Sequence, residues 1–528
     1  MQNIGFTVNQ EEKFSKMPWN EEYSSKSTIF GKRTFLPINY KKALNDNTLV
    51  IGSSGTGKTY SFVEPNVLQG NANYIIADAK GSILEDIGSS LLKMGYNIQV
   101  LNLVDLAHSM TYNPLANMES ALDVRSFADQ VLLSTTDGVK IHGTQDPFWN
   151  KSAATLLCAL IYFVQEFLPK DEQNMSTVTR LYNAVNKPAD RIKAVIQNLS
   201  GKEYEYMKKT SDLDEEKIIG DYLFDWAREK KPDSLAVKMW DEVVSGKSAE
   251  KMWASIVSIL GSSLSAYNLS DIDRLLSSNR LKFERLLKPK TALFILYDDA
   301  DPTKNFISNT LYSQLFRFLY HKAFQFDDKK LPVKIRFYLD DFKNILIPNF
   351  DDYLATARSR NISVCMMLQD ESQLKAKFGV NTASVIGNCS AYLLTGTTDL
   401  SMARIAADRF NQTAQSIRIM DEDHFLLDVG GYLRKTERYE YQDHPNYVNK
   451  KFNINKFFKT PDIDPSNWAG LCSILKDLPI VETPVLNLNG ELEEMDDSWS
   501  DDKWAEEFRE RSNRIKEKIR RSQNKNRI

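Results

Sequence analysis

The stretch LVIGSSGTGKT, residues 49–59, decides the fold. It opens in the apolar run Thr48–Ile51, which reads as a buried strand, and it fits G-x-x-x-x-G-K-[ST] in the one context that gives that pattern meaning, a strand followed by a helix. Gly52, Gly55 and Gly57 let the backbone turn its N–H groups inward around phosphate oxygens, where a side chain would block the approach. Ser53, Ser54 and Thr56 complete the loop. Lys58 places a point charge on the β and γ phosphates, the Thr59 hydroxyl is a Mg²⁺ ligand, and Tyr60 ends the set of nucleotide-binding residues. The helix that follows aims its positive end at the same anion. Pro65 lacks the N–H to continue that helix, which is expected to be short or kinked. ATP and Mg²⁺ are the expected cofactors.

Working outward, short runs rich in β-branched residues alternate with helical stretches in two regions. The first gives Thr48–Ile51, Tyr74–Ala77 and Ile98–Leu101; the second gives Ala292–Tyr297, Ile335–Leu339, Ser363–Leu368 and Ala391–Leu394. These runs are almost continuously apolar, as parallel strands covered on both faces must be. A three-layer α/β domain follows. Between about 119 and 285 no strand-like run appears, and helical patterning dominates. The expected division is an N-terminal segment 1–46, a nucleotide-binding domain in two parts (47–118 and 286–445), an all-α insert at 119–285, and a largely flexible C-terminal extension at 446–528.

A P-loop needs a second, acidic strand end to hold the water shell of its magnesium. FYLDDF (337–342) supplies one, with Asp340 closing an apolar run. Asp341 is then placed to orient or deprotonate the attacking water, or else to cap the next element. Ring ATPases mostly carry Glu at that place; Asp is shorter by a methylene, roughly 1–1.5 Å.

An ordered set of further motifs is more specific than the P-loop alone. Downstream come FVEPN (62–66), YIIADAKGSILED (74–86), LNLVD (101–105), YNPL (112–115) and DPFWNKSA (146–153), then FYLDDFKNILIPNFDDYLATARSRNISVCMMLQDESQL (337–374) and VIGNCSAYLLTGTTDLSMARIAADRF (385–410). Over roughly residues 30–445 this set resembles the type IV secretion coupling proteins, ATPases that deliver DNA in bacterial conjugation. The resemblance implies a RecA-like three-layer P-loop core with an inserted all-α domain facing the cytosol, ahead of the flexible charged tail. It implies a homo-hexameric ring that passes single-stranded DNA and its relaxase to secretion-channel proteins. It also implies that Arg358, in ATARSR, reaches into a neighbouring subunit's site as an arginine finger, and that Gln369, closing SVCMMLQ, senses the γ-phosphate. A guanidinium from the next subunit would neutralise charge on the transferring phosphoryl group and couple hydrolysis to subunit movement. The blander readings are a surface ion pair for Arg358 and a strand-end turn residue for Gln369; Arg360 is the fallback finger. Lys80 and Gly81, in DAKG, are expected beside the phosphates. A receptor that uses ATP only to switch cargo affinity, and a DNA translocase unconnected to secretion, are the alternatives.

Many members of that family begin with transmembrane helices, whereas the longest apolar run here, Ala153–Val164, is too short to span a bilayer. A cytoplasmic chain, peripheral at the inner face of the membrane and held by a separate anchor protein, is the expectation. The net charge of −3 offers no general polyanion surface, so DNA contact must come from a local strip or from a ring. Lys375 and Lys377 are the candidates for such a strip. The five histidines are scattered, without metal-ligand spacing, and His444 reads as a packing or turn residue. Cys158, Cys365, Cys389 and Cys472 form no CxxC pair. The tail splits into acidic Glu491–Glu507 and basic Arg509–Arg527, where Trp504, Phe508, Ile515 and Ile519 could share a helical face.

Overall fold

The computed structural model describes residues 18–38, 44–135, 147–200, 217–245, 250–298, 300–463 and 468–479. The acidic and basic blocks of the tail and His142 lie outside them. The chain divides into two compact units, one of Met1–Gln145 with Ser265–Asp462, the other of Asp146–Leu264 with Ile463–Ile528.

The first unit is built on a nine-stranded sheet. Strands β3 (Thr48–Gly52), β4 (Asn73–Ala79), β5 (Asn97–Asn102), β6 (Thr291–Tyr297), β7 (Ile335–Leu339), β8 (Ile362–Leu368) and β9 (Ala391–Gly396) run parallel. All seven were legible as apolar runs because both faces are covered: every residue of β3, β6, β7 and β8 is buried. The order is β11-β10-β9-β3-β8-β7-β4-β6-β5, with β10 (His424–Val429) and β11 (Tyr432–Glu437) closing one side antiparallel. The order sets up the site. β3, which carries the P-loop, and β7, which Asp340 follows, are separated only by β8, which Gln369 follows.

Two hairpins were not anticipated. β10 and β11 turn through Gly430-Gly431, both at positive φ (56° and 90°), a two-residue connection that glycine alone takes without strain. β1 (Ser27–Gly31) and β2 (Thr34–Pro37) turn through Lys32-Arg33, with Arg33 at φ 55°. The β1–β2 hairpin meets β11: the Thr34 and Thr436 hydroxyls bond at 2.7 Å, and Lys32 N donates to Glu437 O at 2.7 Å. Gly31 is glycine because a Cβ there would lie 2.3 Å from the Thr436 hydroxyl.

The second unit is helical, with helices at Pro147–Phe167, Met175–Val185, Ile192–Ser200, Ile219–Lys230, Leu235–Val244 and Glu250–Leu264. Its centre is aromatic: the Phe224 and Trp240 rings stack 4.2 Å apart and Phe163 meets Phe224 edge-on. Gly220 leaves the space Trp240 fills, since a Cβ would sit 2.5 Å from its ring.

Two boundaries differ from the sequence reading. The helix Ala121–Thr135 belongs to the sheet unit, tied by the Arg317–Asp123 ion pair (2.7 Å) to the helix Asn305–Phe324, and the chain returns to that unit at Ser265. Helical periodicity reports the element, not the layer it joins. The extension is also less free than expected. Residues 446–462 run along the sheet unit, where Phe452 fills the space above Gly88. The helix Ala469–Lys476 buries Leu471, Cys472, Ile474 and Leu475 in the helical unit. The Glu172 carboxylate accepts from Gly470 N (2.6 Å) and Leu471 N (3.0 Å), satisfying that helix's first donors, and Arg180 lies 3.8 Å above the Trp468 ring.

Candidate nucleotide site

Gly55 (φ 81°) and Gly57 (φ 84°) occupy the left-handed region the loop requires, and Gly52 has no room for a side chain, since a Cβ would lie 2.0 Å from the Thr395 hydroxyl. Thr56 anchors the loop from within, its hydroxyl meeting Thr395 at 2.7 Å and donating to Ser53 O at 2.9 Å. The helix after the loop answers the Pro65 question. Its first turn, Thr59–Val63, is wide, with Glu64 N donating to Thr59 O, and a regular helix resumes at Glu64–Leu68 with Pro65 in its first turn, where a missing N–H costs little. The helix continues through the proline by changing pitch.

The two distant motifs meet. Thr59 Oγ1 donates to Asp340 Oδ2 at 2.7 Å, and Lys58 Nζ folds back on the loop carbonyls of Gly52 (2.5 Å) and Ser53 (2.9 Å). The other Asp340 oxygen accepts from Asp341 N at 3.0 Å, and the Asp340 carbonyl accepts from the Tyr297 hydroxyl at 2.8 Å. Asp341 stands at φ 47°, left-handed for a non-glycine residue. Its carboxylate accepts from Asn344 Nδ2 (2.6 Å), with Lys343 Nζ at 3.6 Å. It makes no side-chain cap on the following turn.

Burial dominates the electrostatics. It lowers the Lys58 pKa despite the Asp340 and Asp341 charges, and it raises the Asp340 pKa despite the Thr59 hydroxyl, the Asp341 N–H and the Lys58 charge. Each charge is thus incompletely compensated by the other. An oxyanion against Lys58 and a hard cation between Thr59 and Asp340 would supply what is missing, and hydroxyl with carboxylate is an oxygen donor set that Mg²⁺ accepts. The residues fit the pair of ligands. Next to them, burial lifts Asp78 to about 7 while it caps the helix Ser82–Lys93 through Ile83 N and Leu84 N.

A cleft of about 430 Å³ is lined by Gly55, Gly57, Lys58, Thr59, Tyr60, Asp340, Asp341 and Gln369. Gln369 thus enters from the end of β8, its N–H held by the Gln373 side chain at 3.1 Å. Lys80 (φ 71°) and Gly81 (φ 81°) turn the chain at the end of β4, with Lys80 N on Tyr297 O. Arg358 is elsewhere. It lies in Ala357–Arg360, before β8, whereas the cleft lies after β8. Seven extended residues put roughly 20–25 Å between the two ends. Its guanidinium is exposed and makes no hydrogen bond or ion pair among the described residues. Arg360 is engaged, stacked 4.0 Å over Phe324 and donating to Lys329 O.

The family model described as type IV secretory system conjugative DNA transfer matches residues 9–400. The chain belongs to this family. Comparison with curated proteins gave no sequence match. Among solved structures, the unbound conjugative coupling protein TrwBdeltaN70 is similar at 13% identity and TM-score 0.51, covering 81% of this chain and 93% of that one. The plasmid coupling protein TrwB with the non-hydrolysable GTP analogue GDPNP (15% identity, TM-score 0.51) and with ADP and Mg²⁺ (14%, 0.51) align over the same shares. At these identities the likeness establishes a shared fold, the parallel-rich P-loop NTPase sheet of a coupling protein.

In this member of the conjugative DNA transfer family Lys377 departs from the sequence expectation, whereas His444 follows it. Lys377 is turned inward: the amine donates to Phe342 O (3.0 Å) and Ile345 O and sits 4.3 Å over the Phe342 ring, and burial lowers its pKa to about 7. Lys375 is exposed on the same short helix. His444 is buried; Nδ1 accepts from Asn446 N at 3.1 Å, so Nε2 carries the hydrogen and donates to Gln69 Oε1 at 3.2 Å. Thr395, Tyr297, Asn344 and the segment after β11 shape the site without any local motif to mark them. Among the described residues no helix is long and apolar enough to cross a membrane, and no cluster of metal-ligating side chains occurs.

Proposed function

We propose that this chain is an ATP-driven coupling protein that recruits relaxase-bound single-stranded DNA and translocates it to a type IV secretion channel during conjugation. The observation that carries the reading is the 2.7 Å bond between Thr59 and Asp340, which sets a glycine cradle and a carboxylate-tipped strand around one cleft. TrwB, of like fold, was crystallised with nucleotide analogues and with ADP and Mg²⁺, which supports the same ligand class here.

In this reading the loop N–H groups bind the phosphates, and Lys58 leaves the Gly52 and Ser53 carbonyls for the β and γ oxygens. Thr59 and, through water, Asp340 would hold Mg²⁺, which would supply charge to spread over the phosphates. Asp341, fixed by Asn344, orients the attacking water and takes its proton as the bond between the β,γ-bridging oxygen and the γ-phosphorus breaks. Gln369 senses the γ-phosphate from the end of β8. Arg358 cannot serve its own chain's cleft from the far end of β8, so it acts on a neighbour's, which calls for a closed ring with one face repeated against another, here a homo-hexamer. The DNA passes along that ring at the inner face of the membrane, where a separate anchor protein and the channel proteins receive it.

The test is ATPase activity with and without single-stranded DNA across protein concentration. Turnover that rises with DNA and with concentration is the expected result. Lys58→Ala turnover lost while cargo export persists would remove the pump.

A further inference from the structure

The segment after β11 brings an arginine of the same chain to the cradle. Arg438 Nε is held by Glu440 Oε1 at 3.0 Å, which fixes the guanidinium plane. Its terminal nitrogens have no hydrogen-bond or ion-pair partner among the described residues. They face the loop: the position a Cβ would take on Gly57 is 3.7 Å from both Arg438 Cζ and Nη1. On the other side the guanidinium lies 5.6 Å from the Tyr60 ring. Tyr60 lines the cleft, meets Tyr441 edge-on at 4.7 Å, and donates its hydroxyl to Gln442 Oε1 at 2.5 Å. One short segment, Arg438 to Gln442, therefore supplies a planar cation and a polar, ring-backed wall beside the last glycine of the loop.

We propose that Arg438 is a same-chain phosphate contact and that Tyr60, braced by Tyr441 and Gln442, is the wall against which the nucleoside lies. The chemistry follows from the geometry. A guanidinium with one nitrogen anchored keeps its fork for a phosphate oxygen pair, the geometry it fits best. Lys58 and Lys343 are matched there by Asp340 and Asp341, so the charges of the lining leave no surplus of positive charge for a triphosphate. Arg438 differs from Arg358 in kind: it serves its own chain's nucleotide and does not depend on a neighbour. An aromatic wall reads no base edge, since every base offers a π-face, so the subsite accepts nucleotides with little regard to the base.

The inference rests on the nucleotide reading of the cleft, and its test separates the two. Binding of Mg-ATP and of inorganic tripolyphosphate is measured by calorimetry on the full chain and its variants. Arg438→Ala is expected to weaken both ligands about tenfold, the loss of one charge-assisted contact. Tyr60→Ala is expected to weaken ATP about tenfold and leave tripolyphosphate unchanged, since only ATP carries a base to pack. Arg438→Lys, which keeps the charge, recovers part of the tripolyphosphate affinity, a rescue that loss of folding would not allow. If Arg438→Ala does not fold, Arg438→Gln, which keeps a hydrogen-bonding side chain but no charge, asks the same question: tripolyphosphate is expected to bind about tenfold more weakly, and wild-type affinity overturns the proposal. Wild-type affinity for both ligands in Arg438→Ala overturns it as well. A wild-type chain that binds neither ligand overturns the nucleotide reading itself.

Discussion

The Thr59 hydroxyl and the Asp340 carboxylate lie 2.7 Å apart although 281 positions separate them in the chain. The bond spans β8, the strand between β3 and β7, so it measures whether the sheet has assembled in the right order. Asp340→Asn keeps the acceptor oxygen and removes the charge that would hold a cation. It is expected to lower ATP hydrolysis about a hundredfold or more. The same change removes a buried carboxylate whose ionised form is disfavoured, so the melting temperature at pH 7 should not fall. Turnover near the wild-type level would remove Asp340 from the reaction.

Arg358 stands at the opposite end of β8 from Gln369. A finger in that place works only across a subunit boundary. Arg358→Ala should lower ATPase activity about a thousandfold or more while ATP binding persists. Mixed with equally inactive Lys58→Ala, it should regain activity, because about a quarter of randomly formed boundaries then join an intact loop to an intact arginine. Mixing that restores nothing, with mixed assemblies confirmed, would end the finger assignment.

Glu64 is 2% exposed, with one oxygen lacking a hydrogen-bond partner among the described residues, and burial raises its pKa to about 9, with Asp86 and Asp78 adding to the rise. The folded chain therefore holds a proton that the unfolded chain has released above its ordinary value of 4.5. Stability falls as pH rises through the window from about 4.5 to 9. Glu64→Gln mimics the protonated acid. Thermal melts should show a variant more stable than wild type at pH 8, by at least about 1 kcal/mol, and similar to it near pH 4.5. A wild-type melt independent of pH over that window would contradict the account.

Lys377 ties the loop after the acidic motif through Phe342 O and Ile345 O. Lys377→Met should cost about 1–3 kcal/mol through unpaired carbonyls. The salt dependence of single-stranded DNA binding should stay as in the wild type, since no phosphate contact is lost. A shallower salt slope would return this lysine to the DNA surface.

What could be read in advance was what is written locally. The P-loop and FYLDDF are contiguous, and β3 to β9 are apolar runs because their neighbours lie on both faces. β11 is hard to read because it alternates Leu433, Arg434, Lys435 and Thr436 without an apolar run, while β10 offers only the three-residue apolar run Phe425-Leu426-Leu427. The Gly430-Gly431 pair was the signal that could have found the hairpin. Arg438 was invisible for the same reason, since its place beside Gly57 depends on that hairpin. The tail helix was lost among charged neighbours because its eight residues are too few to show a period. Lys377 looked like a surface charge because nothing in ESQLKAKF tells which carbonyls the amine will meet.

The P-loop strand has both its partners late in the chain. β3 ends at residue 52, while β8 begins at 362 and β9 at 391. At roughly 5–20 residues per second, a ribosome takes about 15–60 s to deliver β8 after β3 has been made. Through that interval β3, the strand that carries the cradle, has neither of its sheet neighbours. A nascent or truncated chain that stops short of residue 362 therefore leaves this apolar strand without either of its native neighbours, the kind of unpaired edge that makes partly folded chains prone to aggregate.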